Sequence, residues 1–319
     1  MSRERFEDLR AEEWRRFADL VGRLESVRNR PTPETAELPA LYRRICLHLA
    51  LVRERRYGVD LEDHLNRLAL RGHRQLYRGE RISGRRIVEL LAADFPARLR
   101  EEWRLVLVAS LLFLVPALAT GVAVTLAPEV AYSVMHPEMV HQLEEMYRPD
   151  GEVVREADSD VMMFGFYVHN NVGIAFRTFA GGVLFGLGSI FFLVYNGLFL
   201  GAVAAFLGQA GLGGTFWPFV VGHSAFELPA IVFAGAAGLR LGLAVVAPGR
   251  RSRGAALAAA ARRSLPLVAG IAFLLVLAAF VEAFWSSNAW LPDAVRYGVG
   301  AALWLAFFTY LAVGGRGGR

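Results

Sequence analysis

The chain of 319 residues is 55% hydrophobic and has a positive mean hydropathy, which excludes an ordinary soluble protein and predicts a membrane protein. Residues 1–104 hold 23 Arg and 18 acidic residues, whereas residues 105–128 carry no charged side chain. All 35 basic residues are Arg, which we interpret as a compositional bias and not as nucleic-acid binding. Cys46 is the single cysteine, so an intrachain disulfide is excluded.

The first 104 residues predict a cytoplasmic helical domain. Apolar residues recur at spacings of three to five up to Pro31, which indicates an amphipathic helix. Further helices are expected at about 34–57 and 60–78, and a fourth, starting near Arg85, is expected to lead into the first span. No apolar core of a signal peptide occurs in the first 100 residues, so we expect the first span to act as its own insertion signal.

Residues 105–319 predict a transmembrane domain, and the fold class is therefore an all-α polytopic membrane bundle with about six spans. The expected spans are 105–126, 161–177, 178–207, 216–246, 266–285 and 298–313. Basic loops mark the cytoplasmic side, so the Arg-rich loop 248–264 is expected inside and the acidic loop 128–160 outside. Both termini are then cytoplasmic, in a bacterial inner membrane. The second span either crosses fully or is re-entrant, since it contains polar residues.

The stretch GHSAFELPA at 222–230 places two ionisable groups inside the fourth span. His223 and Glu227 are one helical turn apart, so they share a face in the outer half of that span. A charged side chain at mid-bilayer costs roughly 2.5 to 3.5 kcal/mol, so Glu227 requires partners. We expect an intramembrane polar site in which Asn170, Asn171 and Asn196 complete the pair. Pro229 removes a backbone donor and predicts a helix kink beside it.

This polar site has three interpretations: a structural clasp between helices, a relay for protons or ions, or a metal site. A metal site is the weakest, because His-x-x-x-Glu offers two ligands and a third, such as His169, must come from another span. We therefore expect no catalytic residue, no metal and no cofactor. Glu282 is expected to reach water at the outer face.

Other candidate residues concern packing and charge. Glycines four residues apart predict close helix packing, either within the chain or between subunits. They are Gly182 and Gly186, Gly197 and Gly201, and Gly238 and Gly242. Arg177 and Arg240 are predicted as inner-face charges. Arg240 lies roughly 20 Å from Glu227 along the helix, which is too far for a direct ion pair.

The run NNVGIAFRTFAGGVLFGLGSIFFLVYNGLFLGAVAAF (170–206), followed by GHSAFELPAIVFAGAAGLRLG (222–242), resembles the stage II sporulation protein M family, also known as DUF95. The resemblance covers about residues 103–313, and its most specific block is carried by His223, Glu227 and Pro229. The sporulation member works with peptidoglycan-degrading proteins. Relatives are often encoded beside MoxR-type ATPases and von Willebrand factor A domain proteins, which implies an envelope-associated assembly.

The function expected from these observations is that of a membrane scaffold or partner subunit, not an enzyme. The alternative is a transporter or channel that uses the His223 and Glu227 site, and an intramembrane enzyme comes third. The expected partners are membrane lipid, a second copy of the chain in a homodimer, and envelope proteins of the two neighbouring types, with no nucleic acid.

Overall fold

The computed structural model describes residues 2–26, 36–76, 84–148, 157–288 and 290–316. Within these ranges all regular structure is helical, which confirms the predicted all-α fold. The chain forms two compact units, Met1–Ser83 and Gly84–Arg319.

The described residues of the first unit form three helices: α1 (Arg3–Ser26), α2 (Leu38–Arg55) and α3 (Val59–Leu76). Each helix buries one apolar stripe in a shared core, with Phe17 and Leu65 fully enclosed. Gly72 on α3 makes room for the Phe17 ring, because a Cβ there would lie 2.3 Å from Phe17 Cζ. The unit therefore has a hydrophobic core of its own.

The second unit begins with α4 (Gly84–Glu89), a π-helical turn (Leu90–Asp94) and α5 (Phe95–Glu101). Within the part of this unit that the structure describes, six long helices follow, with two short helices and two 3₁₀ turns between them. The long helices are α6 (Trp103–Leu126), α9 (Ala157–Ala180), α10 (Leu187–Gln209), α11 (Gly213–Val246), α12 (Arg253–Phe280) and α13 (Asp293–Val313). The short elements are the 3₁₀ turns Pro128–Val130 and Gly181–Val183 and the helices α7 (Ala131–Val134) and α8 (Pro137–Tyr147). A second π-helical segment, Val281–Ser286, extends α12.

The division between the units falls 21 residues earlier than the boundary after residue 104 that the sequence analysis proposed. Phe95 packs in the core of the second unit, against Gly270 of α12, where a Cβ would lie 2.0 Å from its ring. Arg100 donates hydrogen bonds to the carbonyls of Leu311 and Gly314, at 2.8 and 2.6 Å. Residues 84–101 therefore pack as part of the second unit.

The six long helices alternate in direction. α6 and α10 run parallel, with residues paired at a constant offset: Phe113 with Gly197, Ala117 with Gly201, and Thr125 with Gln209. α11 runs antiparallel to α10, and the residues that pair are Gly186 with Gly242, Ser189 with Gly238, and Leu193 with Gly235. The start of α9 lies beside the end of the α12 segment, where the rings of Phe164 and Phe284 are 6.0 Å apart. α9, α11 and α13 thus run against α6, α10 and α12.

Among the described residues, five helices are long and apolar enough to cross a membrane: α6, α10, α11, α13 and α12 with its π-helical extension. α9 is not among them, since it carries His169, Asn170 and Asn171. It is nevertheless a continuous helix of 24 residues and not a broken one, with a length of about 36 Å.

Candidate functional site

The His223 and Glu227 pair lies on α11. His223 is buried, with 5% of its surface exposed, and the Glu227 side chain keeps 19% exposed. His223 Nε2 and Glu227 Oε2 are 3.9 Å apart, which is longer than a hydrogen bond. The two side chains therefore face each other on α11 without a direct hydrogen bond between them.

Glu282 joins this pair from the π-helical end of α12. The expectation that it reaches water is wrong, because Glu282 is 8% exposed and lies inside the bundle. One ligand atom from each of His223, Glu227 and Glu282 lies within 4.8 Å of the other two. We call these three residues the polar cluster. The π-helical end of α12 packs against this part of α11, where a Cβ on Gly222 would lie 3.4 Å from Val281 and 3.6 Å from Ser286.

The environment orients the imidazole. His223 Nδ1 lies 3.3 Å from Ser286 Oγ, within hydrogen-bond distance. The Phe219 ring packs edge-on to the imidazole, with 5.3 Å between centroids. Nδ1 is therefore engaged by α12, and Nε2 is the ring nitrogen that faces Glu227.

Tyr147, the last residue of α8, packs beside the polar cluster. Its ring contacts the rings of Phe216 and Phe219, and its carbonyl accepts a hydrogen bond from Thr215 Oγ1 at 2.6 Å. Burial raises the pKa of Tyr147 above its ordinary value, and the nearby Glu282 adds to the increase. The end of α8 therefore packs next to the cluster, on the side where α11 begins.

The three asparagines predicted for the site make their hydrogen bonds elsewhere. Asn196 Nδ2 donates to the Phe192 carbonyl of its own helix at 2.7 Å. Asn170 Nδ2 donates to Asn171 Oδ1 at 3.1 Å, and Asn171 is buried. Ser286, and not an asparagine, provides the side-chain oxygen within hydrogen-bond distance of His223. Pro229 lies inside α11, one turn after Ala225, whose carbonyl loses a partner.

The paired glycines mark close helix contacts within the chain. A Cβ on Gly182 would lie 2.0 Å from the Gly238 carbonyl oxygen, and one on Gly242 would lie 2.4 Å from Gly186 N. Cβ atoms on two glycines of α10 would meet α6 backbone oxygens, Gly197 at 2.2 Å from Phe113 and Gly201 at 2.0 Å from Ala117. All six glycines thus bring helices of this one chain together.

The two predicted inner-face arginines differ in their partners. Arg240 pairs with Glu102 at 3.1 Å, and Arg263 lies 3.6 Å from the same carboxylate, which is 8% exposed. Arg177 is exposed and donates to the Gly173 carbonyl of its own helix at 3.1 Å. An ionic cluster around Glu102 therefore lies at the opposite end of the bundle from the polar cluster.

The polar cluster contains two carboxylates and one imidazole in an apolar bundle. Two carboxylate charges at 4.8 Å or less repel by about 3 kcal/mol or more at an effective dielectric constant of about 20. The cluster can relieve that repulsion by binding a proton or a cation. Glu282 is the third side chain with a potential metal-ligating atom at this site, whereas His169, the candidate named from the sequence, is exposed on α9. The sequence did contain one signal for Glu282 as a member of the site, because Glu227 and Glu282 are the two acidic residues between positions 161 and 292.

A bundle of long apolar helices that encloses ionisable groups defines the chain as a multi-pass membrane protein. The family model of stage II sporulation protein M matches residues 109–287, more than half of the chain. The chain belongs to this family, and the resemblance noted in the sequence is confirmed. A second model, a domain of unknown function (DUF8413), matches residues 4–78 in the first unit. Comparison with the curated proteins and with the solved structures gives no match.

Proposed function

We propose that this protein is a membrane scaffold or partner subunit of an envelope-associated complex, without enzymatic activity. The observation that carries the proposal is the division into a membrane bundle and a separate helical unit with its own core. Separate family models match the two units, which supports two modules with different tasks. One module holds the protein in the lipid, and the other offers a surface to partners.

The surface of the first unit suits a water-exposed module. Arg71 forms a two-point ion pair with Glu25, with nitrogen to oxygen distances of 3.1 and 2.7 Å. This pairing lowers the pKa of Glu25 and raises that of Arg71. The excess of Arg in residues 1–104 favours the cytoplasmic side of a bacterial inner membrane. With α9 as a sixth crossing, the alternating helix directions support the proposal that both termini lie on that side.

The partners we propose are a second copy of the chain and, by analogy with the family, MoxR-type ATPases or von Willebrand factor A domain proteins. The described outer faces of the bundle carry large apolar side chains, such as Leu118 at 70% and Leu305 at 70% exposure. Lipid covers such faces in a monomer, and a second bundle can replace part of the lipid in a homodimer.

The test compares three tagged chains extracted from the native bacterial membrane in mild detergent: the full chain, a chain without residues 1–83, and Glu227→Gln. We expect the full chain and Glu227→Gln to migrate in one complex with other proteins, identified by mass spectrometry. The shortened chain should insert but lose those proteins. If the full chain migrates without other proteins, or if the shortened chain keeps them, the scaffold proposal is wrong.

The polar cluster favours a second candidate, a transporter or channel, because buried ionisable residues in membrane helices often mark ion pathways. The measurement is flux of protons and metal ions into proteoliposomes that contain the full chain. Flux that Glu227→Gln abolishes, with folding intact, would support transport and count against the scaffold. No flux above that of protein-free liposomes would exclude transport of the ions tested.

A further inference from the structure

We propose that His223, Glu227 and Glu282 bind one divalent transition-metal ion of the zinc class. The expected ligands are His223 Nε2 and one oxygen from each carboxylate. The proposal does not depend on the scaffold or transport function, because a bound metal can stabilise the bundle in either case.

Charge is the first reason. One ligand oxygen of Glu227 and one of Glu282 lie within 4.8 Å of each other, so the two carboxylates repel each other when both are ionised, and a cation between them removes that repulsion. A divalent cation balances two carboxylates and a neutral imidazole to zero net charge, whereas a monovalent cation leaves one negative charge in the membrane. The composition of the cluster therefore matches a 2+ ion.

The ligand types are the second reason. Carboxylates alone suit Mg²⁺ and Ca²⁺, but an imidazole nitrogen favours zinc and its d-block neighbours. One nitrogen and two oxygens from the protein leave a fourth position for water, which is a common arrangement at zinc sites with an open position. The histidine therefore makes the cluster more suitable for an ion of the zinc class than for Mg²⁺ or Ca²⁺.

Geometry is the third reason. Ligands at about 2.0 to 2.1 Å from a tetrahedral zinc ion lie about 3.3 Å from one another. The Nε2 to Glu227 Oε2 distance of 3.9 Å is too long for a hydrogen bond and only slightly longer than this ligand separation. Small rotations of the Glu227 and Glu282 side chains would bring the three ligand atoms to this separation. The 3.9 Å spacing of this pair therefore suits two ligands of one ion, and the ligand atoms of all three residues lie within 4.8 Å of one another.

The surroundings of the cluster are the fourth reason. Metal-bound histidines commonly engage their other ring nitrogen in a hydrogen bond, and His223 Nδ1 faces Ser286 Oγ at 3.3 Å. Glu282 and Ser286 both lie on the π-helical segment of α12, and π-helical segments occur frequently at functional sites. The Glu227 side chain is 19% exposed, so it is not fully enclosed by the bundle. The segment thus supplies one ligand and one orienting group.

The test uses the full chain, purified in detergent, stripped with chelator and then incubated with ZnCl₂ or CoCl₂. After gel filtration we expect about one metal ion per folded wild-type chain, and a visible d–d absorption band of Co²⁺ in a tetrahedral site. Glu282→Gln and His223→Asn should each weaken binding by about tenfold or more, and Ser286→Ala by about tenfold. Monodisperse elution verifies folding, and Ser286→Ala keeps the test decisive if a ligand variant does not fold.

The matched controls are His169→Asn, an exposed histidine on α9, and Glu129→Gln, in the 3₁₀ turn after α6. Both should retain wild-type metal binding. Equal metal content in wild-type and Glu282→Gln protein, or binding that only His169→Asn abolishes, would overturn the assignment. The complex masses that test the scaffold are measured separately, so either proposal can fail alone.

Discussion

His48 is buried in the first unit, where its Nδ1 accepts a hydrogen bond from Trp14 Nε1 at 3.1 Å. An indole N–H can only donate, so Nδ1 carries no proton and the neutral ring has its hydrogen on Nε2. Burial lowers the pKa of His48 below its ordinary value, and the nearby Arg10 and Arg44 act in the same direction whereas Glu13 opposes them. The folded unit therefore favours the neutral ring.

We predict that the first unit loses stability as the pH falls below about 6.5, the pKa of an unfolded histidine. The pKa of His48 is lower in the folded unit than in the unfolded chain, so the unfolded chain binds the proton first as the pH falls. The stabilisation that the neutral ring provides above pH 6.5 is therefore lost as the pH falls from 6.5 to the pKa of His48 in the folded unit. Hydrogen exchange of α2 peptides in the full chain, corrected for the intrinsic rate, measures the effect. His48→Asn should be less protected at pH 7.5 and should lack this pH dependence. Identical pH profiles would contradict the prediction.

At the scale of single residues, the sequence identified the pair on α11 but not the third member of the cluster. Helical spacing fixes the relation of His223 to Glu227, because both lie on one element. The position of Glu282 depends on how α12 packs against α11, which no local pattern specifies. Polarity alone assigned the asparagines to the site, although an amide can satisfy itself within its own helix, as Asn196 does.

At the scale of helices, the length of the apolar stretches predicted where the long helices lie. It did not predict which helices pack against each other. The glycine spacing indicated close packing of α10, but only the structure shows that α6 lies against Gly197 and Gly201. The two helices are far apart in sequence, and small residues fit many partners equally well. The polar residues of α9 left open whether this span is a continuous helix. A continuous helix tolerates them because its buried face packs against neighbouring helices and not against lipid.

We predict that Gly201→Ala weakens the contact between α6 and α10 by about 1 to 3 kcal/mol. A Cβ there would lie 2.0 Å from the Ala117 backbone oxygen, so the helices must separate. The matched control is Gly208→Ala on the same helix, where nothing lies within 4 Å of the added carbon. Thermal unfolding in detergent measures the difference, and equal midpoints for the two variants would contradict the close packing.

At the scale of the whole molecule, the alternating helix directions predict that α9 crosses the membrane. Three long helices, α9, α10 and α11, separate Ser133 of α7 from Arg251, so those two exposed positions should lie on opposite sides. If α9 did not cross, two crossings would remain and both positions would share a side.

In a Cys46→Ser background, we predict that Ser133→Cys reacts with a membrane-impermeant maleimide in intact cells. Arg251→Cys should react only after the membrane is permeabilised, since the Arg-rich loop is expected inside. Labelling is read by mass shift. Reaction of both positions in intact cells would show that the number of crossings between them is even and that the topology is wrong.

The length of α11 has a mechanical consequence for the bilayer. Its 34 residues extend about 51 Å, whereas the hydrocarbon layer is about 30 Å thick. The helix must therefore tilt strongly, stretch the surrounding lipid or project into the headgroups at one end. If the helix projects at its first turn, the turn that moves is the one in which Thr215 donates a hydrogen bond to the Tyr147 carbonyl of α8. Changes in lipid chain length should then alter how firmly the end of α8 packs beside the polar cluster, so the packing around the cluster should depend on membrane thickness.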